Sequence, residues 1–241
     1  MSNFAFFDVD QTIYNGYSTP DFYLYLVTQG MGGAWTIAKD QEIGKLYKAG
    51  KITYKHAGEQ VVQLLADTIA GHSVEKIKGL ASQWVSTSLK VKPFVKEVVT
   101  ILKANNFRTI LVSGSSIPNV EAIFEVSGAD IFHSTGLEVV DNKYTGKVIH
   151  MLDDEAKKSL ILSNYKLDSS NCLKFGFGDS TGDVPMLSLC DHAFVISPHQ
   201  DEMRLLSLAK GWHLVTNDNI IEIVRKTLNI HSVDRVDRNN I

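Results

Sequence analysis

Phe4-Ala5-Phe6-Phe7-Asp8-Val9-Asp10-Gln11-Thr12-Ile13-Tyr14-Asn15-Gly16 sets an apolar run against two aspartates one residue apart. Four consecutive apolar residues, three of them aromatic, suit a strand covered on both faces. In a strand, positions i and i+2 share a face. Asp8 and Asp10 therefore converge at the C-terminal end of this strand, the edge where open parallel sheets bind ligands. Two neighbouring carboxylates cannot both ionise cheaply without a cation. The plain alternative is a solvated turn capped by its acids, and this stretch alone does not separate the two.

Further runs of the same kind follow: Arg108–Ser113, Ala129–His133, Leu173–Gly178, Ala193–Ile196 and His213–Thr216. Helical patterns lie between them, at Lys92–Ala104, Pro118–Val126 and Ala156–Ser163. Strands alternating with helices indicate an α/β fold, a three-layer Rossmann-like core with a mainly parallel sheet. Residues 17–88 break the alternation, with helical patterns at Phe22–Thr28, His56–Ala70 and Val74–Ser86 and no strand. They form a helical insertion after the first strand, too long for an ordinary strand-to-helix connection. The division expected is a core of 1–16 and 89–241 and a small helical cap domain of 17–88. Gly136–Ile149, with Leu137–Val140 and Lys147–Ile149 around Asp141-Asn142, reads as a β-hairpin. The polar tail from His231 reads as a frayed end.

A chain of 241 residues with 44% hydrophobic and 21% charged content can bury a full core. Its 27 acidic and 24 basic residues leave a formal charge of −3. That balance gives no electrostatic reason to expect nucleic acid or an anionic membrane as partner. Two cysteines, Cys172 and Cys190, are too few for a disulfide framework. With no run of 18 apolar residues and no basic, apolar leader, the expectation is a cytoplasmic protein. Oligomeric state is not legible.

Each later strand end also carries chemistry. Ser113-Gly114-Ser115-Ser116 ends the second strand before a helix, a place where a hydroxyl and backbone N–H groups can cradle an anion. A Gly-Ser turn is the bland counterpart. Asp179 and Asp183 bracket a turn of small residues in Gly178-Asp179-Ser180-Thr181-Gly182-Asp183; their bland role is helix capping. Lys157 and Lys158 precede that strand, and a lysine aimed at its mouth would offset the acids and hold a phosphate. Mg²⁺ suits such a pocket, because it binds few carboxylates and keeps phosphate oxygens as further ligands.

Taken in order, Asp8-Val9-Asp10-Gln11-Thr12, Ser113, Lys157 or Lys158, and Gly178–Leu187 resemble the four motifs of haloacid dehalogenase superfamily phosphatases, in the phosphoserine-phosphatase-like subfamily. The resemblance implies a Mg²⁺-dependent phosphomonoesterase acting on a phosphorylated small molecule. In it, Asp8 is the nucleophile that forms an aspartyl-phosphate, and Asp10 is the general acid and base. The metal is held by Asp8, the Asp10 backbone carbonyl and Asp179, with Asp183 in support. Ser113, Gly114 and the lysine bind the transferring phosphoryl group. Lys157 and Lys158 both remain candidates.

Two positions depart from the family pattern. Gln11 stands where a glycine is usual. Ile13–Leu26 lacks the glutamate that binds the amino group of phosphoserine, and Asp21 is its only acid. With the aromatic neighbours Phe22, Tyr23 and Tyr25, a phosphorylated small molecule with an apolar or cationic group becomes as good a candidate as phosphoserine. The alternatives are a phosphorylation-regulated receiver, against which the insertion argues, and a ligand-binding protein without catalysis, against which the complete acid set argues.

Overall fold

A computed structural model of the chain describes residues 3–165 and 172–238. Seven strands form one sheet in the order β4-β3-β2-β1-β5-β6-β7. They are β1 (Asn3–Phe7), β2 (Phe107–Ser116), β3 (Ile131–Val140), β4 (Lys143–His150), β5 (Lys174–Gly178), β6 (His192–Ile196) and β7 (His213–Val215). β1 is central and parallel to both β2 and β5; among the described strands the antiparallel pair is β3–β4.

The aromatic run fixes the centre of the sheet by alternation. Phe7 faces one side and stacks on its register partner Phe177 at 4.2 Å; Phe177 stacks in turn on Phe194 at 4.8 Å. Such ring pairs contribute about 0.5–1.5 kcal/mol each beyond area burial. Phe6 faces the other side and joins a separate core with Ile110, Val112, Leu152 and Met186.

Four helices follow β1: α1 (Ser18–Thr28), α2 (Ala34–Lys48), α3 (Tyr54–Ile69) and α4 (Val74–Ser88). The side chains of Thr53 and Ser73 cap α3 and α4 by accepting from His56 N and Lys76 N. The helix α2 carries no apolar periodicity that marks it in the sequence, since it buries only Thr36 and Ile43. The helices α5 (Phe94–Ala104), α6 (Ile117–Ser127) and α7 (Asp154–Asn164) alternate with the core strands, followed by α8 (Val184–Leu187), α9 (Asp201–Lys210) and α10 (Ile220–Arg238). Side chains of α5, α6 and α10 pack on the Phe7 face and those of α7, α8 and α9 on the Phe6 face, giving three layers.

Two expectations change. The third strand and the first arm of the hairpin are one strand, β3, parallel to β2 at its start and antiparallel to β4 at its end. At the junction Thr135 Oγ1 donates to the Gly114 carbonyl at 2.6 Å and accepts from Leu152 N at 3.1 Å, while the Ser134 hydroxyl is buried with no hydrogen-bond partner among the described residues. The hairpin turn is at Asp141 and Asn142, whose φ values of 47° and 61° are those of a type I′ turn. The tail from His231 is not frayed at once, because α10 continues to Arg238; residues 239–241 lie outside the described residues.

Candidate active site

The chain leaves β1 through a turn held by several backbone hydrogen bonds. Asp8 N donates to the Phe177 carbonyl at 2.9 Å, Gln11 N to Gly16 at 3.1 Å, and Ile13 and Tyr14 N to Val9. Gln11 sits at φ 62°, in the left-handed region where glycine is the unstrained residue. The Lys92 ammonium donates to the Gln11 carbonyl and so holds that strained peptide in place. Burial lowers the pKa of Lys92, with Asp179 opposing.

The two acids of the turn meet different surroundings. Asp8 is buried, and its Oδ1 accepts from Lys157 Nζ at 2.7 Å. Burial first, then the charge of Asp183, hold the Asp8 carboxyl well above the usual carboxylate range, against the pull of Lys157. Asp10 is turned toward the start of α1: Oδ1 accepts from Ser18 N at 2.9 Å and Oδ2 from the Ser115 hydroxyl at 2.6 Å. Burial raises its pKa, and those hydrogen bonds limit the rise.

Ser113 is buried in the last part of β2, three residues before its end, its Oγ accepting from Ser115 N at 3.1 Å. Gly114 beside it lies close to its neighbour: a Cβ there would make a tight contact, 3.2 Å from the Leu152 carbonyl. Lys157 reaches both Asp8 and, at 3.4 Å, Asp183. Burial alone would lower its pKa, but Asp8 and Asp183 hold the ammonium above the ordinary lysine range. Lys158, one residue on, is only half-buried, and no hydrogen bond or ion pair among the described residues joins it to these acids.

Asp8, Asp179 and Asp183 are buried together, with a carboxylate oxygen of each within 4.8 Å of the others. Asp179 accepts from the Thr12 hydroxyl at 3.1 Å. Burial and the charge of Asp183 push Asp179 up to about 7. Asp183 Oδ2 accepts from Asp179 N, Ser180 N and Ser180 Oγ, so it also fixes the turn that presents Asp179. Gly178 makes this possible, since a Cβ would lie 2.7 Å from that of Asp183. Three buried carboxylates facing one ammonium leave net negative charge and hard oxygen donors, which fits a divalent cation such as Mg²⁺. The Asp10 carboxylate stands outside this cluster, both its oxygens being engaged elsewhere.

Thr12, Ser18, Lys92, Ser115 and Asn119 had not been singled out from the sequence. Asn119 ties α6 to α1: it accepts from Ser116 Oγ at 2.8 Å and donates to Ser18 Oγ at 2.9 Å. Two of these carry a sequence signal, Thr12 as the last residue of the first motif and Ser115 by its place beside Ser113 in the Gly-Ser run. Phe22 and Tyr23 of the aromatic run, by contrast, do not line the site, being fully buried in the core, and the Tyr25 hydroxyl donates to Gln83 Oε1 at 3.4 Å. Asp21, the one acid there, is held by Tyr14 Oη at 2.9 Å and Lys90 Nζ at 2.7 Å.

A family model described as haloacid dehalogenase-like hydrolase matches residues 5–188. A phosphoserine phosphatase of Polaromonas sp. is 26% identical over 231 residues, covering 91% of this chain and 88% of that one. A histidinol-phosphatase of Neisseria meningitidis serogroup C is 21% identical over 221 residues, covering 88% of this chain and 97% of that one. Among solved structures, a protein of unknown function from Bordetella pertussis Tohama I matches with a TM-score of 0.75 at 19% identity, over 90% of this chain and 99% of that one.

Proposed function

The chain belongs to the haloacid dehalogenase-like hydrolases, and from that premise we propose that it is a cytoplasmic, Mg²⁺-dependent phosphomonoesterase acting on a phosphorylated small molecule. The observation that carries this reading is the separation of the two acids: Asp8 faces Lys157, while Asp10 is hydrogen-bonded by Ser18 and Ser115. A receiver that stores a phosphoryl group has no use for a second, independently held carboxyl two residues from the first.

Asp8 attacks phosphorus and forms an aspartyl-phosphate. Asp10, its pKa raised by burial, gives its proton to the departing oxygen. It then takes a proton from the water that attacks the phosphorus of the aspartyl-phosphate, which regenerates Asp8 and releases phosphate. Lys157, the Ser113 hydroxyl and the Gly114 backbone N–H bind the phosphoryl oxygens as charge develops on them. Mg²⁺ would be held by Asp8, Asp179 and the Asp10 carbonyl, with Asp183 beside them, and when bound it neutralises phosphoryl charge. The helices of residues 17–88 serve as the cap domain that covers this pocket.

Phosphoserine is disfavoured as substrate, because Asp21 already shares its carboxylate with Lys90 and Tyr14 and is not left to receive an ammonium group. The relatives named for phosphoserine and for histidinol phosphate are too distant to choose between such substrates. The test is phosphate release from phenyl phosphate with and without Mg²⁺, in wild type and Asp8→Asn. The reading expects Mg²⁺-dependent turnover that Asp8→Asn lowers by at least about a thousandfold. Equal rates in the two proteins overturn it.

A further inference from the structure

Three tyrosines on separate segments have exposed rings: Tyr17 just before α1, Tyr47 in the last turn of α2 and Tyr54 at the start of α3, at 50%, 46% and 61% exposure. A single exposed aromatic needs no explanation. Three on segments whose neighbours hold the site call for one.

Their positions follow from contacts made by their neighbours. Tyr17 precedes Ser18, whose N–H holds Asp10 at 2.9 Å. Tyr54 precedes Lys55, which pairs at 2.8 Å with Asp153, the residue that caps the helix carrying Lys157. The Tyr47 and Tyr54 rings lie 6.1 Å apart, edge to face. Electrostatics agree with this placement: burial is the main cause that pushes the Tyr54 phenol up, followed by Tyr17, Asp10 and Asp8. For Tyr17 the causes are burial, then Asp179, Asp10 and Tyr47. The Tyr17 and Tyr54 phenols, both raised, stay neutral at physiological pH. Tyr14 and Tyr23 differ: they bury their rings and donate their hydroxyls to Asp21 and Asp40.

We propose that Tyr17, Tyr47 and Tyr54 form a ring-binding subsite at the mouth of the pocket, which selects phosphomonoesters whose leaving group carries a planar ring. The proposal rests on the phosphatase reading and adds to it the class of substrate. A phosphoryl group seated between Lys157 and Ser113 leaves its ester oxygen directed outward, toward the three rings. Offset or edge-to-face contact with two of them favours a planar group over an alkyl group of equal charge.

Non-hydrolysable phosphonates test this without turnover. Phenylphosphonate, methylphosphonate and 2-aminoethylphosphonate are titrated calorimetrically into the Mg²⁺-loaded protein, in wild type, Tyr17→Ala, Tyr54→Ala and Tyr54→Phe. Phenylphosphonate is expected to bind about tenfold more tightly than methylphosphonate. Both alanine variants bring that ratio toward one, and Tyr54→Phe keeps it. A wild-type ratio near one, a ratio that survives both alanine substitutions, or a preference for the aminoethyl compound over the phenyl compound overturns the subsite. So does loss of the ratio in Tyr54→Phe, which would assign recognition to the hydroxyl, and so does failure of every phosphonate to bind. The phosphatase reading fails on a different measurement, the absence of Mg²⁺-dependent hydrolysis of phenyl phosphate.

Discussion

Lys157 and Lys158 are adjacent in the chain, yet only one reaches the acids. Successive helical residues point about 100° apart, given 3.6 residues per turn, and burial of one face decides between them: Lys157 is 6% exposed. Sequence spacing leaves this open because both lysines have apolar residues three or four positions on. Lys157→Met is expected to lower kcat by about 10²–10³, the usual effect of losing one donor to a developing anion, while Lys158→Met stays within about twofold. Comparable losses in the two variants, measured as phosphate release, would reassign the motif lysine. Gln11 is the second instructive residue. Its departure from glycine was legible, and its φ of 62° shows that the turn keeps the shape a glycine would have. Gln11→Gly trades local strain against chain entropy, each about 1 kcal/mol, so little net change in stability is expected. Gln11→Val, β-branched in the same left-handed conformation, is expected to be about 1–3 kcal/mol less stable than Gln11→Gly, as read from denaturant unfolding.

At the scale of elements, strand ends were easier to find than what holds them together. β1, β2, β5 and β6 announce themselves as contiguous apolar runs because each is covered on both faces. α2 does not, having one exposed flank and few buried apolar residues. The Asn119 node is invisible for another reason: its contact to Ser116 is local, but its contact to Ser18 spans 101 residues, and no local pattern pairs those two. That node fixes the start of α1 and therefore the Ser18 N–H that Asp10 accepts. Asn119→Ala leaves buried hydroxyls unpaired and is expected to cost about 1–3 kcal/mol. It should also loosen the Ser18–Asp10 hydrogen bond, one of the contacts that lowers the Asp10 pKa. The limb of the kcat–pH profile that reports the general acid then moves to higher pH. A variant that melts earlier with an unmoved limb would show Asn119 to be purely structural.

For the whole molecule, burying so many acids in one pocket makes stability depend on pH and on the cation together. Asp8, Asp10 and Asp179 all have folded-state pKa values above their ordinary 3.8, that of Asp179 reaching about 7. Between those limits the folded protein binds more protons than the unfolded chain, so stability falls as pH rises through that window. Each pH unit is worth about 1.4 kcal/mol per fully shifted group. A divalent cation reverses the trend, because it binds the ionised carboxylates and competes with their protons. In EDTA, the melting temperature is therefore expected to drop from pH 5 to pH 8. Added Mg²⁺ should do almost nothing at pH 5 and restore the loss at pH 8, where about 2–4 °C corresponds to each kcal/mol for a chain of this size. Asp179→Asn removes one of the repelling charges, so its EDTA melting curve should be flatter with pH and its response to Mg²⁺ weaker. An EDTA-treated wild type whose melting temperature is constant or rises over this range would mean that the buried acids are not under electrostatic strain, and the argument for a cation in the pocket would lose its physical basis.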